Sequence, residues 1–218
     1  MNPAFAQLLR KLGLYHPLHD RRRDRRFRAA GRQRIRDWTA AGKPPPPPDL
    51  IKYGVIRDLA RRHGCAILVE TGTFYGNCIF TLRGDFREIH SIELAPGLYH
   101  EARLALAHLP HLHLHLGDSA RVLPVVAAGL TAPTLYWLDG HFCAGPSARA
   151  NQDTPIAAEL LWLLGRPSGR DVVLIDDARL FTGKDDYPTV DEIRQLVARH
   201  RPAATCEVET DIIRIHPV

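Results

Sequence analysis

The feature that most constrains this chain is an alternation. Five short apolar runs, each finishing in a carboxylate, are separated by segments with helical patterning. The runs are AILVETG (66–72), EIHSIEL (88–94), LHLHLGD (112–118), TLYWLDG (134–140) and DVVLIDD (171–177). Helices are predicted at about 75–83, at 96–109 with Pro96 at its start, at 119–130, at 154–165 and at 189–200. Pro124 must sit in the first turn of its helix or kink it. Another helix is predicted from Asp49, a capping residue, through Arg62, with His63-Gly64 as its stop. The last segment, CEVETDIIRIHPV, reads as two short strands joined tightly near 209–211. Strand–helix repetition of this kind predicts an α/β, Rossmann-like, doubly wound sheet. It is mostly parallel, has seven strands and ends in an antiparallel hairpin.

Ligands of such sheets bind beyond the carboxyl ends of the strands, at the point where the winding reverses. Glu70, Glu93, Asp118, Asp139, Asp176 and Asp177 are all expected along that rim. So many strands finishing in a carboxylate is more than loop solvation requires.

Composition sets the outer limits. Of 218 residues, 45% are apolar, enough for one α/β core with an appendage. No stretch approaches the ~20 apolar residues that span a bilayer, and the first residues lack a signal-peptide pattern. Four cysteines are scattered without a CxxC pair, which argues against a disulfide framework or a zinc knuckle. A cytoplasmic, soluble protein is the expectation. Residues 1–43 hold 12 Lys/Arg against 3 Asp, a net of +9, whereas the remainder is net −4. The basic pI therefore describes an N-terminal arm, with Arg21, Arg22, Arg23, Arg25, Arg26 and Arg28 in one run. That arm could dock on an anionic partner or membrane face. Phe27, Ile35 and Trp38 are its candidate packing points. Pro44 to Pro48 predict a stiff polyproline II linker, about 15 Å long at ~3.1 Å per residue. The catalytic-type body is then residues 49–218. The sequence leaves homo-oligomerisation open.

VETGTFYG (69–76) carries the first cofactor signal. Gly72 allows a tight turn and close ligand approach, and Gly76 lets the next helix pack near the strand. The spacing is G-x-x-x-G, so the dinucleotide fingerprint is absent. Glu70, just before the turn, would repel a pyrophosphate and suit a ligand bearing an ammonium and a sulfonium. Thr73 belongs to the same loop. Glu93 lies 21 residues beyond Gly72, where a carboxylate can accept hydrogen bonds from both ribose hydroxyls. Asp118 and Ser119 follow Gly117 and suit an adenine amino group, although Asp118 also suits a helix cap.

These motifs together resemble the class I methyltransferases that use S-adenosylmethionine (SAM), over about residues 50–218. The strings VETGTFYGN, IHSIEL, YWLDGHF and VVLIDDARLF also look like a bacterial subgroup associated with sugars or secondary metabolites. The resemblance implies strand order 3-2-1-4-5-7-6. It also implies Glu70, Gly72, Thr73 and Gly76 near the methionine part of SAM, Glu93 on the ribose, and Asp118 with Ser119 at the adenine.

Methyl transfer to a hydroxyl needs a base or a metal, because a hydroxyl is a poor nucleophile at neutral pH. Asp139, Asp176 and Asp177 end neighbouring strands and could hold Mg²⁺. This is similar to metal-dependent O-methyltransferases of the macrolide-sugar type. Asp139 and His141 are the candidate bases. The long segment 141–155 reads as a lid, with Arg149, Asn151 and Gln152 as acceptor contacts. Phe181, Lys184 and Tyr187 could line the pocket. The expected activity is methylation of a hydroxyl on a small molecule, a sugar or polyhydroxylated metabolite. The alternatives are a metal-independent N-methyltransferase and a non-catalytic protein docking through its basic arm. His111, His113 and His115 share one strand face and could bind a transition metal. A half-exposed edge strand accounts for them more simply.

Overall fold

The computed structural model describes residues 15–139, 156–166, 169–184 and 186–218, with side chains from Asp20 onward. The chain divides into two compact units, Met1–Ile51 and Lys52–Val218, so the second begins a few residues past the expected boundary. In the first unit the basic arm is one 26-residue helix, α1 (Tyr15–Ala40). Its arginines are mostly exposed, while Phe27, Ile35 and Trp38 are half-buried. A Cβ at Gly31 would meet Leu50 Cδ1 at 2.3 Å, so the helix passes that leucine at a distance only glycine permits. The expected straight polyproline spacer does not form. The run bends at 45–46, and the indole of Trp38 donates to the Pro44 carbonyl at 2.6 Å.

Helix α2 (Asp49–His63) leads into the second unit and stops at Gly64, whose φ of 67° closes the last turn. The sheet then builds through β1 (Ile67–Thr71), β2 (Glu88–Glu93), β3 (Leu112–Leu116), β4 (Thr134–Leu138), β5 (Val172–Ile175), β6 (Ala204–Glu209) and β7 (Ile212–Pro217). Its order is β3-β2-β1-β4-β5-β7-β6. The first five strands are parallel, and β7 runs antiparallel to both β5 and β6. Thr210 and Asp211, with φ of 57° and 59°, form the two-residue turn of the terminal hairpin.

The crossovers are α3 (Asn77–Leu82), α4 (Pro96–Leu106), α5 (Ser119–Ala128), α6 (Ile156–Leu164) and α7 (Val190–His200). Helix α3 is shorter than the predicted 75–83, because Phe74 and Gly76 have φ of 49° and 66° and extend the loop. Pro124 lies inside α5 rather than in its first turn. Strands β1, β4 and β5 are buried at every position, as expected of parallel strands covered on both faces. Ile67, Val69, Tyr136, Leu138, Val173 and Ile175 pack with Leu123, Leu160, Leu163, Ile193 and Val197 from α5, α6 and α7. Leu68, Leu135 and Leu174 alternate with them and are fully buried too, so the opposite face is also covered.

Helix α7 shows how local chemistry sets an end. Thr189 Oγ1 accepts from the Glu192 amide at 3.1 Å, and Glu192 Oε2 accepts from the Thr189 amide at 2.7 Å. This reciprocal cap satisfies two otherwise orphaned donors. Thr189→Ala is expected to lower stability by about 1 kcal/mol in urea unfolding. An unchanged midpoint would mean the cap contributes nothing.

Candidate active site

The rim at the carboxyl ends of β1, β2, β4 and β5 gathers acidic residues from across the sequence. Glu70, next to last in β1, is buried and accepts from the Ser91 hydroxyl of β2 at 2.7 Å. Ser91 in turn contacts Thr73 Oγ1 at 2.6 Å, so a buried polar chain links β1, β2 and the glycine loop. Burial pushes the Glu70 carboxyl up to about 7, against the opposing hydrogen bonds from Ser91 and Cys78.

Two backbone amides fix Glu93. Its Oε2 accepts from Phe74 in the glycine loop at 2.8 Å, and its Oε1 accepts from Ala95 at 2.8 Å. Each oxygen retains a lone pair for a further donor. The loop itself depends on backbone freedom. Gly72 has φ of 87°, and its amide donates to the Ile92 carbonyl at 2.9 Å. A Cβ on Gly76 would lie 2.8 Å from Leu106 Cδ1, so this glycine brings the loop close to α4.

Asp118 caps α5, with its Oδ1 accepting from the Ala120 amide at 3.0 Å. Ser119 beside it is buried. The alternative reading of Asp118 as a helix cap is thus realised, and its second oxygen remains an acceptor.

The amides of Asp139 and Asp176 donate to the carbonyls of Thr71 and Leu138, at 3.2 and 3.1 Å. These bonds carry the ladder one residue past β4 and β5 and bring both carboxylates to the rim beside Glu70. Asp177 has φ of 56°, and its amide donates to Asp176 Oδ1 at 2.8 Å. A cation from another element lies in their midst. Lys52 of α2 places Nζ 2.5 Å from Asp176 Oδ2 and 3.1 Å from Asp177 Oδ1. Arg179 bonds Asp177 Oδ1 at 2.7 Å and also pairs with Asp211 on the hairpin turn.

Electrostatics follow from this crowding. Burial pushes Asp139 well above the carboxylate range, and the neighbouring Asp176 adds to it, with Lys52 opposing. Asp176 is raised too, first by burial, against the pull of Lys52. For Lys52, burial acts to lower the pKa, but Asp176, Asp177 and Asp139 outweigh it and the net direction is up. The ammonium is therefore charged at neutral pH, and the carboxyl group that it serves holds on to protons.

Glu70, Thr73, Gly76, Glu93, Asp139, Asp176 and Asp177 thus lie around one rim. His141, and the lid contacts Arg149, Asn151 and Gln152, lie outside the described residues. Phe181 does not line a pocket as expected. It is buried in the core, with Tyr187 packed edge-on at 5.2 Å, while Lys184 is exposed. Besides Lys52, the sequence reading missed Ser91 and Glu159. Lys52 sits in the apolar stretch DLIKYGVI, where a lone lysine was the available signal.

No protein-family model matches the sequence, and no curated protein matches it either. Solved structures do match. The O-methyltransferase TomG from Streptomyces achromogenes, involved in tomaymycin synthesis and solved with SAM, is 19% identical. Its TM-score is 0.55, over 87% of this chain and 90% of that one. An O-methyltransferase from Bacillus cereus, in complex with S-adenosylhomocysteine, is 16% identical with TM-score 0.53, over 86% and 90% of the two chains. The N-methyltransferase NodS from Bradyrhizobium japonicum, with the same product, is 11% identical with TM-score 0.51, over 84% and 98%. The shared feature is the fold, a doubly wound seven-stranded sheet.

Glu159 of α6 gives a test of these buried carboxyls. Burial pushes it up to about 7, with the Ser119 hydroxyl opposing and Asp118 adding. Below about pH 4.5 the side chain is neutral in both folded and unfolded chains, so it contributes no pH dependence. As pH rises from there to about 7, the folded state keeps its proton longer and stability falls, by about 3 kcal/mol. Glu159→Gln should therefore stabilise the protein at pH 8 and change little at pH 4.5, read by urea unfolding. An equal effect at both pH values would contradict this.

Proposed function

We propose that this chain is a SAM-dependent methyltransferase acting on a hydroxyl of a small molecule, a sugar or another polyhydroxylated metabolite. The observation that carries the reading is the buried group Glu70, Asp139, Asp176 and Lys52 at the winding reversal, beside a glycine loop tied to Glu93. The residues fit SAM. Glu93 keeps acceptor capacity for ribose hydroxyls, and Glu70 offers a carboxylate that a cation would help ionise. SAM supplies a methyl group already activated for transfer, so the chain's task is alignment and proton removal. Burial raises the proton affinity of both Asp139 and Asp176, and Asp176 adds to the effect on Asp139, which suits Asp139 to accept a proton. A positive charge arriving beside Glu70 and Asp139 favours their ionised forms. Asp139 then takes the hydroxyl proton, while Lys52 holds Asp176 and Asp177 in place and offsets their charge.

Magnesium on Asp139, Asp176 and Asp177 was the expectation from residue types. The side chains do not fit it as they stand, because Lys52 holds two of the three carboxylates. The proposed chemistry takes its positive charge from Lys52.

Calorimetry with SAM, together with product assays on a panel of hydroxylated acceptors, tests the proposal. Affinity for SAM should rise as pH passes about 7, because the cation must displace the Glu70 proton below that point. Glu93→Ala should weaken SAM binding by at least about tenfold, the loss of roughly one charge-assisted hydrogen bond. Asp139→Asn should retain SAM and lower turnover by ~10²–10⁴-fold. Turnover should survive EDTA. Absence of SAM binding would overturn the reading. Unchanged turnover in Asp139→Asn would point to an amine acceptor instead, which needs no strong base.

A further inference from the structure

A second set of ligating side chains converges away from the rim, on the outer strands. The β2–β3 register sets His90 opposite His113. Glu88 lies two residues before His90, and His115 lies two after His113, so strand alternation puts all four on one face. The contacts agree. Glu88 Oε1 is 2.9 Å from His90 Nε2 and 3.5 Å from His113 Nε2. All three atoms lie within 4.8 Å of one another. A tetrahedral ion with bonds of about 2.0–2.1 Å needs its ligand atoms roughly 3.3 Å apart. Two of the three edges already bracket that value, and the His113 side chain, 49% exposed, has room to turn and shorten the third.

His115 supplies the second observation. Its Nε2 lies 3.1 Å from His90 Nδ1, and the two ring planes are 7° apart with centroids at 5.4 Å. That is the geometry of two imidazoles joined edge to edge by an in-plane N–H···N bond. If His90 Nδ1 carries the proton and donates it to His115, His90 Nε2 is left with its lone pair on the side of Glu88, and the His113 ring stacks beside it with centroids 4.7 Å apart. An imidazole whose far nitrogen is held by a hydrogen bond is how metal-binding histidines are oriented. His111, which sequence alternation grouped with the others, goes elsewhere and bonds the Arg83 carbonyl at 2.8 Å.

We propose that Glu88, His90 and His113 form a binding site for a divalent transition-metal ion, with His115 as the residue that orients His90. Two imidazoles and one carboxylate favour Zn²⁺ over Mg²⁺ or Ca²⁺, which prefer all-oxygen shells. His113 and Glu88 are partly exposed, so the site is open to solvent. The ion would tie β3 to β2. This site is independent of the methyl-transfer reading.

The test uses tag-free full-length protein, stripped with chelator and titrated with Zn²⁺ by calorimetry and with Co²⁺ by visible absorption. One equivalent of Zn²⁺ should bind, and Co²⁺ should show the visible bands of a four- or five-coordinate ion. Thermal unfolding should shift upward with Zn²⁺. His113→Asn, at a half-exposed position that tolerates change, should abolish the bands and the thermal shift. His90→Ala should do the same, and His115→Ala should weaken binding by about 10–100-fold. His111→Asn should bind as the unmodified protein does. Failure to bind one equivalent, or binding unchanged in His113→Asn, would overturn the proposal.

Discussion

Carboxylates brought together by parallel strands repel one another, and the rest of the site is arranged around that repulsion. Asp139 and Asp176 are level, because the β4–β5 register aligns the residues before them, and Glu70 lies opposite Trp137, two residues lower on the neighbouring strand. In a low-dielectric setting such a group stays folded only by keeping protons or by acquiring cations. Both occur here. Burial raises the proton affinity of Glu70, Asp139 and Asp176, and Lys52 adds a charged ammonium between Asp176 and Asp177. By the same electrostatics, a positive charge placed beside these carboxylates would stabilise their ionised forms.

Hydrogen bonds hold the loops of the rim in place. Glu93 is not a loose surface glutamate. Its two oxygens gather the Phe74 and Ala95 amides, which ties the glycine loop to the entrance of α4. The Glu70–Ser91–Thr73 chain ties that loop to the sheet from below. On the far side, the hairpin turn reaches back through Asp211 to Arg179, and Arg179 bonds Asp177. The terminal hairpin therefore helps to place a residue of the site about 30 positions upstream of it.

Much of this was legible in the sequence. Strand-period apolar runs and Gly-punctuated turns marked every strand, and the position of each carboxylate at a strand end marked the rim. The misses have physical reasons. Helix α3 begins late because two residues adopt left-handed backbone, which helical patterning does not reveal. Phe181 reads as a pocket residue by its place in a loop, but the three-residue turn before it folds the ring into the core. The histidines of β3 look like a set of three by alternation, yet pairing with β2 exchanges His111 for His90 and Glu88.

What the sequence determined by itself is the order of elements, the doubly wound class and the set of acidic strand ends, because periodicity and turn chemistry are local. What only the tertiary structure decided is the company those residues keep. Lys52 lies 124 positions from Asp176, and His90 lies 23 from His113. Contacts across such separations depend on strand register and helix docking, which minimise the free energy of the whole chain rather than of any segment.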